Sequence, residues 1–122
     1  MRLFILMSFN IASLVCGQLL MKYAMVQMGG FLISQAVRQP AVLMKLALNP
    51  YVVTGLLLYG VNVFLWFDVL STAELSYVYP MLSLSYGLVV LASALIFHEG
   101  ITPLRLLGVV IICLGVYTVA RS

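Results

Sequence analysis

Four long apolar runs constrain this sequence of 122 residues more than any other feature. They cover about residues 3–28, 51–70, 75–97 and 102–120, without the alternation of a half-buried strand. About 20 apolar residues in a helix cross the hydrocarbon core of a bilayer, which is ~30 Å thick. Because backbone groups in lipid must be hydrogen-bonded within their own segment, the runs predict an all-α integral membrane protein. We expect one four-helix membrane domain over residues 1–122.

Composition supports the same conclusion and excludes several functions. Hydrophobic residues make up 65% of the chain and charged residues 7%, whereas soluble domains average about 45–50% and about 25%. Six basic and three acidic residues are too scattered to form a nucleic-acid-binding patch. No metal-ligand spacing, nucleophile motif or phosphate-binding glycine loop is present. We therefore expect no enzyme, no catalytic residue, no metal, no cofactor and no nucleic-acid partner.

The link between the first two runs, residues 31–49, differs from an ordinary loop. It mixes leucine, valine and methionine with the polar residues Gln35, Arg38, Gln39 and Lys45. This pattern predicts a short amphipathic segment at the membrane interface or an extension of the first helix, with a solvated loop as the alternative. Basic residues are nearly balanced between the two sides of the membrane, so orientation stays open and an antiparallel dimer is allowed.

Polar residues inside the first run are candidates for function, because a charge within a span costs about 2.5–3.5 kcal/mol on insertion scales. Gln18 and Lys22 lie four residues apart and therefore share one face of a helix. An amide and an ammonium group one turn apart can bind an anionic oxygen such as that of a phosphate. Alternatively, Lys22 extends towards the interface and keeps its charge in water.

The second run carries a stripe of Gly55, Tyr59, Asn62 and Trp66, spaced by four, three and four residues. Asn62 is not expected to face lipid, because its amide would lose its hydrogen bonds there. The stripe predicts either substrate contacts or a hydrogen bond between helices, and its aromatic residues also suit packing or the membrane interface.

The third run carries a stripe of hydroxyl groups. Tyr79, Ser83, Tyr86 and Ser93 fall within about 40° of one line on a helix. Pro80 cannot donate a backbone hydrogen bond, so it frees a carbonyl and predicts a kink there. A kinked helix with hydroxyl groups along one side predicts a substrate-lining wall, although serine also occurs between closely packed helices.

The fourth run has no strongly polar residue in its interior, but it carries two glycines. Gly108 and Gly115 are seven residues apart, nearly on one face, and allow close approach of another helix. They predict packing between subunits. In the preceding link, Glu99 and Arg105 are expected to form a solvated pair or a local cap.

Several of these segments resemble known transporters. Three segments resemble the subunits of the aminoarabinose–phosphoundecaprenol flippase. They are the Tyr-Pro-Met-Leu-Ser-Leu-Ser run at residues 79–85, the His-Glu pair at 98–99, and residues 12–18 with Lys22. Four short helices and the glycines of the last run are similar to the small multidrug resistance family of the drug/metabolite transporter superfamily, which dimerises through its fourth helix. The resemblance covers the first, third and fourth helices.

One departure separates the branches of that superfamily. Its drug and guanidinium exporters keep a glutamate in the first helix for protons and cationic substrates, whereas the first run here contains Lys22 and no acid. The resemblance and the charge together imply an anionic substrate. We expect a lipid-linked sugar phosphate to be moved by alternating access across the bacterial inner membrane by a multi-pass protein.

The resemblance also implies partners and a binding site. The partners expected are membrane lipid and a second four-helix chain, in either a homodimer or a heterodimer. The predicted substrate-binding residues are Lys22, Gln18, Asn62, Tyr59, Trp66, Tyr79, Ser83 and Tyr86. Two alternatives stay open: an exporter of small cationic or hydrophobic compounds, and a non-catalytic membrane subunit of a glycolipid-modifying complex.

Overall fold

Seven α-helices make up most of this computed structural model, which describes residues 1–30 and 32–122. In chain order they are α1 (Arg2–Gln27), α2 (Ile33–Arg38), α3 (Pro40–Leu48), α4 (Pro50–Thr72), α5 (Leu75–Leu82), α6 (Leu84–Ile96) and α7 (Pro103–Arg121). Four stretches are long and apolar enough to cross a membrane: α1, α4, α5 together with α6, and α7. The prediction of an all-α, multi-pass membrane protein with four transmembrane helices is therefore confirmed. Phe31, the first residue of the predicted interfacial link, lies outside the described residues.

Prolines and capping residues explain where two of the spans begin. Pro50 and Pro103 occupy the first turns of α4 and α7, where the missing N–H of proline costs no hydrogen bond. Just before α4, the side-chain oxygen of Asn49 accepts a hydrogen bond from the Tyr51 N–H at 2.9 Å. Thr102 caps α7 in the same way. Each cap satisfies one backbone donor that the helix itself leaves unpaired.

The link between α1 and α4 forms two short helices. α1 ends before Gly29 and Gly30, whose positive φ values of 75° and 102° favour glycine, so the link does not continue the first helix. α2 and α3 are separated by Gln39, which is extended because it precedes Pro40. Of the two helices only Ala36 is buried. The expected position at the membrane interface remains a prediction.

A small apolar core joins three helices near the amino-terminal end of α1. Met7 from α1, Val69 from α4 and Val78 from α5 are each no more than 1% exposed. Because lipid surrounds the remaining side chains, a membrane protein needs no larger core: association in a bilayer depends on close packing and hydrogen bonds between helices.

Two glycines allow α1 and α4 to approach closely. A Cβ atom on Gly55 would lie 3.1 Å from Cε of Met21 and 3.4 Å from the backbone oxygen of Gly17. A Cβ atom on Gly17 would lie 3.3 Å from Cε1 of Tyr59. α1 and α4 are therefore closely packed along their length, and larger residues at either position would separate the two helices.

The last span packs on the outside of the bundle. α7 contacts α5 and α6, and a Cβ atom on Gly87 of α6 would lie 3.2 Å from Cγ1 of Val109. Val116 is the buried residue of α7. Gly108 and Gly115 have open space beside them within the described chain. Their surface is thus available to another helix, and the dimer itself stays a prediction.

Two ion pairs lie near opposite ends of α1. Nη2 of Arg2 contacts both carboxylate oxygens of Asp68 at 2.8 and 2.9 Å, and Nζ of Lys22 lies 3.6 Å from Oε1 of Glu99. Arg2 and Lys22 are 20 positions apart on this helix, and the corresponding rise of about 30 Å matches the thickness of the hydrocarbon core. The two ion pairs are therefore spaced to lie at the two edges of the hydrocarbon core of the bilayer.

The pairing of Glu99 differs from the prediction. Glu99 and Arg105 were expected to form a solvated pair or a local cap, but the carboxylate of Glu99 contacts Lys22. Arg105 instead donates a hydrogen bond from Nη1 to the backbone oxygen of Gly100 at 3.2 Å. The prediction considered only neighbours in sequence, whereas the turn after α6 directs Glu99 towards α1.

Candidate substrate cleft

A cleft with a cavity volume of about 1130 Å³ lies between α1 and the α5–α6 span. Its polar lining consists of an amide from α1 and hydroxyl groups from the opposite wall, belonging to Gln18, Ser76, Tyr79, Ser83, Ser85 and Tyr86. Leucine, valine and proline side chains complete the lining. This volume is slightly above the roughly 300–1,000 Å³ of common ligand pockets, so the cleft is large enough for a polar headgroup of the size of a sugar phosphate.

The α5–α6 wall is interrupted at Ser83. Pro80 lies inside α5, but the break comes three residues later, and the kink predicted at Pro80 stays a prediction. At the break, the N–H of Ser83 donates to the Pro80 oxygen and the N–H of Tyr86 donates to the Ser83 oxygen, both at 3.0 Å. The Ser83 hydroxyl also donates to the Pro80 oxygen. Such local bonds compete with the regular helix and explain the tightened turn.

Two hydroxyl groups in the cleft were not predicted. Ser76 lies three residues before Tyr79 and therefore belongs to the same stripe, so helical spacing was sufficient to find it. Ser85 is 5% exposed and also lines the cleft, although it lies two residues after Ser83. A single helical stripe excludes that spacing. Only the three-dimensional shape of the wall identifies Ser85.

Gln18 and Lys22, one helical turn apart on α1, line two different cavities. Gln18 lines the cleft, and Lys22 lines a cavity of about 440 Å³ together with Tyr23, Phe97 and Glu99. The Lys22 and Glu99 side chains are 52% and 42% exposed in the chain. Their separation of 3.6 Å exceeds the roughly 2.7–2.9 Å of a charge-assisted hydrogen bond. The ammonium group of Lys22 is therefore loosely paired, and it lies one helical turn from the Gln18 amide that lines the cleft.

The three other predicted residues face neighbouring helices and line neither cavity. Tyr59 packs against Gly17, and the side-chain oxygen of Asn62 accepts a hydrogen bond from the Ser13 hydroxyl at 3.0 Å. Trp66 packs edge-on against Tyr79 with ring centroids 6.0 Å apart. These contacts hold together the helices that carry the cleft residues. Direct substrate binding by the three residues stays a prediction.

Asn62→Leu is expected to lower the free energy of unfolding by about 0.6 kcal/mol, the average for a hydrogen bond between transmembrane helices. The substitution removes the acceptor of the Ser13 hydroxyl on α1. Unfolding in mixed micelles, followed by circular dichroism, measures the loss. Ser13→Ala removes the same bond from its other side, so the double variant should lose little more than either single variant. Fully additive losses would show that this bond does not couple the helices.

The lining of the cleft is neutral, whereas the second cavity contains charged side chains. Its lining contains hydroxyl and amide groups but no ionisable carboxylate or ammonium group, and Lys22 and Glu99 lie beyond Gln18 in the second cavity. Across residues 1–30 and 32–122, no cluster of His, Cys, Asp and Glu is arranged to hold a metal ion. The arrangement is suited to hydrogen bonding with an uncharged polar group whose attached charge reaches Lys22.

Comparison with known proteins identifies similar membrane transport subunits. A relative from Sodalis glossinidius, named as probable 4-amino-4-deoxy-L-arabinose-phosphoundecaprenol flippase subunit ArnF, is 37% identical over 88% of this chain and 82% of its own length. The ArnF relative from Serratia proteamaculans is 37% identical over 84% and 79%. A relative from Aeromonas salmonicida, named as probable subunit ArnE of the same flippase, is 32% identical over 81% and 80%. No known family model and no solved structure gives a significant match.

Proposed function

The chain belongs to the family of 4-amino-4-deoxy-L-arabinose-phosphoundecaprenol flippase subunits, and on this premise we propose that it moves a polyprenyl-phosphate-linked amino sugar across the bacterial inner membrane. The observation that carries the proposal is the cleft, which is lined by hydroxyl groups of α5 and α6 and by the amide of Gln18, with the ammonium group of Lys22 one helical turn further along α1 in a second cavity. A sugar phosphate presents the matching sequence of groups: several hydroxyls followed by an anion.

Different residues would bind the sugar and the phosphate of the headgroup. Gln18, Tyr79, Ser83 and Tyr86 would hydrogen-bond the sugar, and Lys22 would bind the phosphate oxygens. Tyr79 and Tyr86 are 61% and 63% exposed in the chain, so their rings extend towards the open side of the cleft. The polyprenyl tail would leave through that side and remain in lipid, which confines the polar part of the substrate to the protein.

A second four-helix subunit would complete the transport pathway. The relatives are named as subunits of a flippase, and this chain is similar to both the ArnE-type and the ArnF-type subunit. The partner would pack on the α7 surface around Gly108 and Gly115, where the chain leaves open space. Rocking of two such subunits would expose the cleft to one side of the membrane at a time. Tyr59, Asn62 and Trp66 would act by holding α1, α4 and α5 together.

Vesicles containing the amino-sugar lipid in both leaflets test the proposal. The chain is reconstituted alone and together with an ArnE-type or ArnF-type subunit, and a membrane-impermeant amine reagent is added outside. Flipping is expected to expose the inner-leaflet lipid to the reagent, whereas protein-free vesicles expose only the outer leaflet. Modification limited to the outer leaflet in every combination would contradict the proposed function.

The same vesicles separate the two alternatives. An exporter of cations requires a carboxylate in its pathway to carry protons; the lining of the cleft contains none, and Glu99 in the second cavity is the acid that could serve. Such an exporter would take up a cationic dye when a pH gradient is imposed. A non-catalytic subunit would neither flip the lipid nor bind it without a partner. Lipid binding by the purified chain combined with no dye uptake supports the flippase over both.

A further inference from the structure

We propose that Glu99 is a second ligand of the headgroup, which binds the ammonium group of the amino sugar while Lys22 binds the phosphate. The inference rests on the proposed function and extends it. In the structure the two side chains neutralise each other. On binding, the two side chains separate and the sugar ring lies between them, because its amine and its phosphate are on opposite sides of the ring. Each side chain thereby exchanges its partner for the opposite charge on the substrate.

The geometry of the Lys22–Glu99 pair suits such an exchange. Its nitrogen–oxygen distance of 3.6 Å is too long for a charge-assisted hydrogen bond, and both side chains are about half exposed. The other ion pair among residues 1–30 and 32–122, Arg2–Asp68, has contacts of 2.8 and 2.9 Å to both carboxylate oxygens. Exposed pairs contribute roughly 0–1 kcal/mol, so opening the looser one costs little.

The backbone at the end of α6 holds Glu99 beside the cavity. His98 has a φ of 54°, an uncommon value for a residue other than glycine, and it turns the chain immediately after the helix. The N–H of Glu99 then donates to the backbone oxygen of Ser93 at 3.4 Å. The main chain of Glu99 is thus tied to the α6 wall, while its carboxylate reaches α1 and lines the cavity beside Lys22.

Complementary charges at this position would select for the substrate. A headgroup with both an ammonium and a phosphate group gives each side chain a new opposite charge. A headgroup with a phosphate but no amine would bind Lys22 and break its contact with Glu99. The Glu99 carboxylate would then lie near the membrane without a cation to pair with. Unpaired charges of this kind are a common source of discrimination between ligands. The site would therefore favour the amino-sugar lipid over the same lipid without a charged amine.

Binding of two lipids distinguishes this role from a structural one. The probes are the amino-sugar lipid and the same lipid with its amine acetylated, and their affinities are measured by thermophoresis of the reconstituted protein. Glu99→Gln is expected to weaken binding of the amino-sugar lipid by roughly ten- to hundredfold, the range for losing a charged hydrogen bond. Binding of the acetylated lipid should not weaken. Asp68→Asn, which opens the other ion pair, should change neither affinity.

Several outcomes would overturn the inference. Equal losses for both lipids would mean that Glu99 only positions Lys22, and unchanged binding of the amino-sugar lipid would remove Glu99 from the site. If Glu99→Gln does not fold, Glu99→Asp keeps the charge on a shorter side chain and should retain a preference for the amino-sugar lipid; its loss would count against the proposal. Wild-type protein that binds neither lipid contradicts the proposed function itself, whereas wild-type flipping without a Glu99 effect contradicts this inference alone.

Discussion

Lys22→Ala is expected to slow flipping of the amino-sugar lipid by roughly ten- to hundredfold, because hydrogen bonds to charged groups contribute about 1.5–3 kcal/mol. The substitution removes the cation that lies one turn from Gln18 at the end of the cleft. It also leaves the Glu99 carboxylate, 3.6 Å from the missing ammonium group, to repel the phosphate. The initial rate of amine modification in the vesicle assay measures the effect.

Two further variants show whether the flipping rate depends on the charge at position 22, on the shape of the side chain there, or on the loss of any cation. Lys22→Arg keeps the cation and should retain most of the rate, although the guanidinium group is larger and planar. Lys45→Ala removes an exposed cation from α3, away from both cavities, and should leave the rate unchanged. An unchanged rate for Lys22→Ala would remove this residue from the mechanism.

The four spans were predictable because composition and breakers determine them locally. A run of about 20 apolar residues has few stable structures in lipid other than a helix. The Asn49-Pro50 pair contains both a cap and a first-turn residue, and the structure begins α4 there. The break at Ser83 was less predictable: it depends on a side-chain hydrogen bond to the carbonyl of Pro80, which residue spacing does not reveal.

The cleft was predictable only in part, since spacing shows which residues share a face but not what that face contacts. Gln18 lines the cleft, as do three of the four hydroxyl residues predicted on the third span; Ser93 does not. Asn62 lies on a stripe of α4, as the spacing indicates, but that stripe packs against α1. The contact of Glu99 with Lys22 joins residues far apart in sequence. No local pattern distinguishes that contact from a pairing of Glu99 with Arg105.

Gly55→Leu is expected to destabilise the protein by about 1–3 kcal/mol or more, the range for inserting extra atoms into a well-packed interior. The first added atom would lie 3.1 Å from Cε of Met21, which can move, but also 3.4 Å from the backbone oxygen of Gly17, which can move only with α1. Gly55→Ala should therefore be tolerated better than leucine. Unfolding in mixed micelles measures both variants.

The effect of Gly55→Leu should extend to transport, because Gln18 directly follows Gly17 on α1 and Lys22 lies one turn further. A shift of α1 away from α4 moves both side chains relative to the hydroxyl wall of α5 and α6. Gly60→Leu provides the matched control: Gly60 belongs to the same helix, and a Cβ atom there meets nothing within 4 Å in the described chain. Equal losses of stability and of flipping rate in the two variants would show that the α1–α4 contact does not position the cleft.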